Sequence, residues 1–128
     1  MSSHPHFDDG GTLDWKTKYQ DALDAARADG KHVFIEMGRE ACSNCRTLVE
    51  SVVRMPDVAP SLKNGFVALS SDCDAPEAAV MDLAMNHLQD AMMLPFVMFT
   101  DADGNFLAGS HGAVDPTAFK ETLAALRD

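Results

Sequence analysis

Two cysteines, Cys42 and Cys45, stand two residues apart in the run Ala41-Cys42-Ser43-Asn44-Cys45-Arg46 of a 128-residue chain. Thiols at i and i+3 fall on one side of a helix's first turn and can close a small disulfide ring. A thiol at a helix N-terminus meets unpaired backbone N–H groups and the positive end of the helix dipole, which stabilise its thiolate. Such a thiolate attacks disulfides and leaves well. The second thiol, one turn further in, is placed to attack the mixed disulfide and release the product. The same spacing is also half of a zinc site. Zinc takes four ligands, and Cys73 with His87 or His111 would have to supply the rest, because no second C-x-x-C exists. A purely structural disulfide is the third reading, but so short a loop constrains the unfolded chain little. A C-x-x-C pair beside a β-α-β pattern favours redox chemistry.

The elements that must position the pair follow from periodicity. Trp15, Tyr19, Leu23 and Ala26 recur at helical spacing, so Asp14 to Ala28 reads as a helix, with Thr12 or Asp14 as cap and Gly30 as its end. His32 to Met37 is a short apolar run bounded by Gly30 and Gly38, a buried strand that carries one acid, Glu36. Ala41 to Arg54 reads as the helix that opens on the cysteines, ended by Pro56. A short helix over Asp57 to Asn64 and a strand over Phe66 to Ser70 come next. A helix follows from Asp74 or Ala75, with Pro76 early in it. Phe96 to Thr100 and Phe106 to Gly109 flank the turn Asp101-Ala102-Asp103-Gly104-Asn105 and read as a hairpin. Asp115 caps a last helix to Leu126, with Pro116 in its first position. The order α-β-α-β-α-β-β-α is an α/β class: one central mixed sheet of four to five strands flanked by helices, its early strands parallel and its last two antiparallel.

The length fits one domain, expected over residues 12–128, with a flexible polar segment over residues 1–11 in which His4 and His6 read as a frayed end, weak metal binding being the alternative. The chain is 46% hydrophobic, which suffices for a core. Its formal net charge of −10 repels phosphate backbones and anionic membrane surfaces, so nucleic acid is not expected as a partner. Its longest apolar stretch, Met92 to Phe99, falls short of the roughly 20 residues of a membrane span. The N-terminus lacks the basic and apolar regions of a signal peptide. As written the chain reads as cytoplasmic, with the bacterial periplasm or envelope as the alternative if a leader has been removed. Cys73 lies among acids that blunt a thiol's reactivity and reads as a bystander. The methionines read as core filling, with Met92 and Met93 the candidates for an adaptable surface.

On three local features the chain resembles the thioredoxin superfamily, from about Asp14 to Leu126. In Phe34-Ile35-Glu36-Met37-Gly38-Arg39-Glu40-Ala41-Cys42, Glu36 holds the place of a buried acid six residues before the first cysteine. The resemblance implies that it takes the proton from Cys45 as that thiol attacks. Its bland alternative is an outward side chain paired with Arg39 or Arg46. Met93-Leu94-Pro95-Phe96 is similar to the family's cis-proline loop, in which Leu94 would offer its backbone to an extended substrate segment; read without the resemblance, Pro95 is an ordinary strand-start proline. Gly112 fits a glycine near the active-site rim. The resemblance implies a thiol–disulfide oxidoreductase acting on protein disulfides. Its roles would be Cys42 as nucleophile, Cys45 as resolving thiol, Glu36 as proton relay, and Ser43, Asn44, Leu94, Pro95 and Gly112 around the substrate. It would be a monomer recharged by an upstream thiol reductant, with no metal or organic cofactor beyond its redox-active disulfide. Ala41 in place of a tryptophan, Ser43-Asn44 between the cysteines and an enlarged helical segment around Ala75 to Met93 resemble bacterial disulfide reductases and thiol carriers more than a housekeeping thioredoxin. A metal- or partner-binding module on the same fold is the alternative.

Overall fold

The run His32–Gly38 becomes β2, at the middle of a five-stranded sheet in the computed structural model, which describes residues 3–127; Met1, Ser2 and Asp128 lie outside the described residues. The strand order is β1-β3-β2-β4-β5, where β1 is Trp15–Lys16, β3 Phe66–Asp72, β4 Phe96–Thr100 and β5 Phe106–His111. β1 and β2 run parallel to β3, while β4 runs antiparallel to β2 and β5 antiparallel to β4. The expected mixed sheet of four to five strands and its closing hairpin are therefore present, with β1 as the fifth strand at the edge.

Alternation along β2 divides the interior in two, because successive side chains of a strand point to opposite faces. Val33, Ile35 and Met37 pack with Ala22 and Ala26 of helix α1 (Tyr19–Asp29) and Val80 and Ala84 of α4 (Ala78–His87). Phe34 packs on the other face, with Cys45, Leu48 and Val49 and with Phe119 and Leu123 of α5 (Pro116–Arg127). Phe34 stacks on Phe99 at 5.6 Å and meets Phe119 edge-on at the same separation, contacts worth about 0.5–1.5 kcal/mol each beyond the area they bury. Helix α3 (Ala59–Gly65) adds Leu62 to this second core.

The N-terminal part departs most from expectation. Residues 4–9 are not a frayed tail but a strap across the second core: His4, Phe7 and Asp9 are all buried. Asp9 organises it. Its carboxylate accepts the N–H groups of Gly11, Thr12 and Leu13 and the Trp15 indole N–H at 2.9 Å. Held in this way, Trp15 belongs to β1 and packs against Phe34 and His4, on the sheet face opposite α1. Its helical spacing with Tyr19 is thus coincidental, and α1 begins only at Tyr19. Neither Thr12 nor Asp14 caps it; the Tyr19 N–H donates instead to Glu77, just before α4. Gly30 ends α1 at φ 68°, as expected, because glycine carries no Cβ penalty there.

Asp9→Ala should leave the Trp15 N–H and the backbone donors of the strap without their acceptor. We expect a loss of about 1–3 kcal/mol in unfolding free energy, read as a lower urea midpoint at unchanged slope.

Candidate active site

The helix that follows β2 starts where the sequence placed it but is not continuous. Ser43–Thr47 is α-helical (α2), and Leu48–Val52 forms a π turn closed by the Val53 N–H on the Leu48 carbonyl at 2.9 Å. Cys42 is the N-cap, with extended backbone (φ −141°, ψ 110°). Its sulfur accepts the Cys45 N–H at 3.2 Å, and its carbonyl accepts the Arg46 N–H. The N-cap role normally held by a Ser or Asp oxygen is therefore filled by the Cys42 sulfur. The two cysteines are joined in a disulfide, with Cα atoms 5.3 Å apart. Cys42 is half-buried and Cys45 fully buried, so only the first sulfur is open to an incoming disulfide.

Glu36 lies on the same face of β2 as Phe34 and is 1% exposed. Its bland alternative does not hold: Arg39 pairs with Asp74, and Arg46 pairs with Glu50 and lies over the Phe7 ring. The partner of Glu36 is His4, whose Nε2 is 2.8 Å from Oε1, and Ser70 Oγ donates to the same oxygen at 3.4 Å. Burial pushes the Glu36 carboxyl above the usual carboxylate range, and the His4 hydrogen bond opposes that rise. Gly38 brings the acid to the sulfur. A Cβ built there would collide with Glu36 Oε2 and sit 2.6 Å from Cys45 Sγ. The carboxyl oxygen and the sulfur thus flank a space that only glycine leaves empty, within reach of direct or one-water proton transfer.

The third part is the loop before β4. The Leu94–Pro95 peptide bond is cis. Asn44 Nδ2 donates to the Leu94 carbonyl at 3.3 Å, and the Gly112 N–H, at φ 81°, donates to both Met93 O and Pro95 O. Cys42, Cys45, Glu36, Asn44, Leu94, Pro95 and Gly112 therefore form one connected site, with Ser43 exposed at its rim. The Leu94 backbone expected to receive a substrate strand already accepts the Asn44 amide at its carbonyl, which has a second lone pair. Met92 (89% exposed) and Met93 (58%) stand out from the loop rather than filling core.

A family model described as thioredoxin-like matches residues 14–102. The chain belongs to the thioredoxin-like family. It is 32% identical over 100 residues to the thiol:disulfide interchange protein DsbD of Cronobacter sakazakii, a match that covers 77% of this chain. It spans only 17% of that protein's length. Among solved structures, a thioredoxin from Thermus thermophilus superposes with TM-score 0.71 at 24% identity, covering 90% of this chain and 87% of that one. A putative disulphide-isomerase from Bacteroides thetaiotaomicron gives 0.69 at 21%, covering 90% and 91%. At such identities the superpositions speak for the fold alone.

The remaining candidates of this thioredoxin-like chain lie apart. Cys73, half-buried, is 3.8 Å from Arg39 Nη2. His87 stacks flat on Phe106 at 4.0 Å, and His111 ends β5. Among the described residues no group of three or more His, Cys, Asp or Glu side chains could hold a metal ion, so the zinc set drawn from Cys73 with His87 or His111 is not assembled. The residue that sequence reasoning missed is His4. Its only signal is a Phe7 and an Asp9 within an otherwise polar segment.

The raised Glu36 pKa has a signed consequence. Because burial favours the protonated acid, the folded chain keeps this proton to higher pH than the unfolded chain. Unfolding between the two pKa values releases it, and stability falls as pH rises from the ordinary carboxylate range through the folded pKa, then levels. Glu36→Gln lacks this loss. Its stability relative to the wild type should climb across that window in urea titrations at a series of pH values; parallel profiles would contradict it.

Proposed function

We infer that this thioredoxin-like domain is a thiol–disulfide oxidoreductase that acts on protein disulfides through Cys42 and Cys45. The observation that carries the reading is the asymmetry of the two sulfurs. One is half-buried and held by a helix-start N–H; the other is buried against an acid. In the reducing direction the Cys42 thiolate attacks a substrate disulfide. A Cys42–substrate bond forms, and one substrate thiolate leaves with the electron pair of the broken bond. Cys45 then loses its proton and attacks Cys42 Sγ. The Cys42–Cys45 disulfide forms, and the second substrate thiolate leaves. Two electrons and two protons have passed from the dithiol to the substrate.

The surroundings favour the reducing direction. A dithiol is strongly oxidising when its reduced form is stabilised as thiolate. Here Cys42 Sγ accepts one backbone N–H, the flanking arginines are engaged by Asp74 and Glu50, and a carboxyl beside Cys45 disfavours a second thiolate. The exposed Met92 and Met93, on the loop tied to Asn44, offer an adaptable apolar lip for an extended substrate segment. The exchange needs no cofactor beyond the two sulfurs, and an upstream thiol reductant returns them to the dithiol.

Cys42→Ser should reduce protein disulfides no faster than buffer, whereas Cys45→Ser should accumulate a mixed disulfide visible by mass spectrometry. The wild-type couple, equilibrated in dithiothreitol buffers, should have a potential nearer about −270 mV than about −120 mV. The absence of a reversible two-electron couple would sink the reading, and a value near the upper figure would reverse its direction.

A further inference from the structure

The N-terminal strap brings one side chain to the site that the exchange steps above do not use. His4 is buried completely at the side chain, stacks on Phe7 at 5.3 Å and stands edge-on to Trp15 at 4.7 Å, so its ring is fixed in plane and position. Its Nδ1 accepts the backbone N–H groups of His6 at 3.1 Å and Phe7 at 3.2 Å. A backbone N–H can only donate. Nδ1 is therefore bare, and the ring proton sits on Nε2, which is the nitrogen 2.8 Å from Glu36 Oε1. The contact is a hydrogen bond donated by Nε2.

Both side-chain hydrogen bonds to Glu36, from His4 and from Ser70, go to Oε1. Oε2 is the oxygen turned to Gly38 and Cys45. We propose that His4 is a positioning residue for the resolving step: it anchors Oε1 so that Oε2 alone faces Cys45 and receives its proton. The proposal rests on the exchange reading above and adds to it the group that fixes the relay. In the step, the S–H bond of Cys45 breaks and its proton moves to Glu36 Oε2. The sulfur's electron pair forms the bond to Cys42 Sγ. The Cys42–substrate bond breaks, and the substrate thiolate leaves with the electron pair of that broken bond and takes up a proton from water.

The other groups facing Glu36 fit this division. The strap contributes His6, half-buried, with its ring 6.0 Å from that of His4. Strand β3 contributes the Ser70 hydroxyl, β4 the apolar Val97 opposite Glu36, and α2 the Cys45 thiol itself. His4 is thus the strong donor to the relay, and it comes from a segment outside the sheet and helices.

Two variants separate the donor from the packing. His4→Phe keeps a ring between Phe7 and Trp15 but removes the N–H; His4→Gln keeps an N–H donor. The reduced protein is mixed with Ellman's reagent in a stopped-flow instrument. With Cys73→Ser in every protein, to remove the half-buried free thiol, the first thionitrobenzoate released reports attack by Cys42 and serves as internal reference; the second reports attack by Cys45. In parallel, Glu36 is titrated through its carboxyl infrared band, assigned with Glu36→Gln. In His4→Phe, Glu36 should titrate at higher pH, the acidic limb of the second release should move up with it, and that release should slow about tenfold at neutral pH. His4→Gln should recover most of this. An unmoved Glu36 titration overturns the proposal, as does a moved titration with an unmoved second release. Nitrogen NMR of wild-type His4 decides the point even if the variants fold poorly: a proton found on Nδ1 overturns the arrangement. Failure of the exchange reading is told apart from failure of this one. It shows as wild-type protein that never releases the first thionitrobenzoate, whereas the tautomer and the Glu36 titration need no turnover.

Discussion

A carboxyl group in the middle of a buried strand is the constraint around which this domain is arranged. Moving a carboxylate out of water is costly unless it is neutralised or hydrogen-bonded, and the parity of β2 leaves Glu36 no choice of direction. Phe34 on one side and Gly38 on the other share its face, and that face carries the cysteine helix and the strap. The apolar residues of β2 that sustain the opposite core force the acid toward the cysteines. The fold then supplies what a buried acid requires: a donor from the strap, a second from β3, and a neighbour with a proton to give.

The strap follows from that requirement. Asp9 gathers three backbone N–H groups and the Trp15 indole, which closes the segment into a fixed turn; Phe7 enters the core and lies under the Arg46 guanidinium; the Asp8 N–H donates to Glu50 within the π turn. Each contact is modest, and an exposed hydrogen bond or cation–π contact contributes about 1 kcal/mol or less. Together they fix His4 against Glu36 and keep water from the carboxyl. The strap therefore acts on the acid in two opposed ways. By excluding water it raises the pKa, and by offering a hydrogen bond it restrains the rise.

What was legible in the sequence is what local chemistry alone decides. A C-x-x-C after a β-rich run, a proline before an apolar strand, Gly30 past a helical run and Asp115-Pro116 before another each carry a physical reason within a few residues of themselves, and each element lies where that reason puts it. The acid at Glu36 was legible as an anomaly in an apolar run. What was not legible depended on contacts between residues far apart in the chain. Trp15 fits the helical spacing of α1, and only the indole bond to Asp9 and the packing on Phe34 put it in a strand. His4 looked like part of a polar end because its partner lies 32 positions away. No composition or periodicity distinguishes a histidine that frays from one that meets a buried carboxyl, since the deciding term is the desolvation of Glu36 and not a property of the segment that relieves it.

The asymmetry of the two sulfurs also has one origin. Placing Cys42 at the N-cap gives it an extended backbone, partial exposure and an N–H aimed at sulfur. Three residues of chain turn Cys45 inward, over Gly38 and beside the acid. A thiolate is thus favoured at the sulfur that meets substrate and disfavoured at the one that does not, until a mixed disulfide makes Cys42 electrophilic and attack by Cys45 productive. Backbone geometry fixes the first preference, and any helix start of this kind would offer it. The second depends on a carboxyl whose free oxygen is selected by a side chain from the far end of the chain. The resolving step is therefore the part of the chemistry most exposed to changes in packing: the strap can alter it while the nucleophile and its cap stay in place.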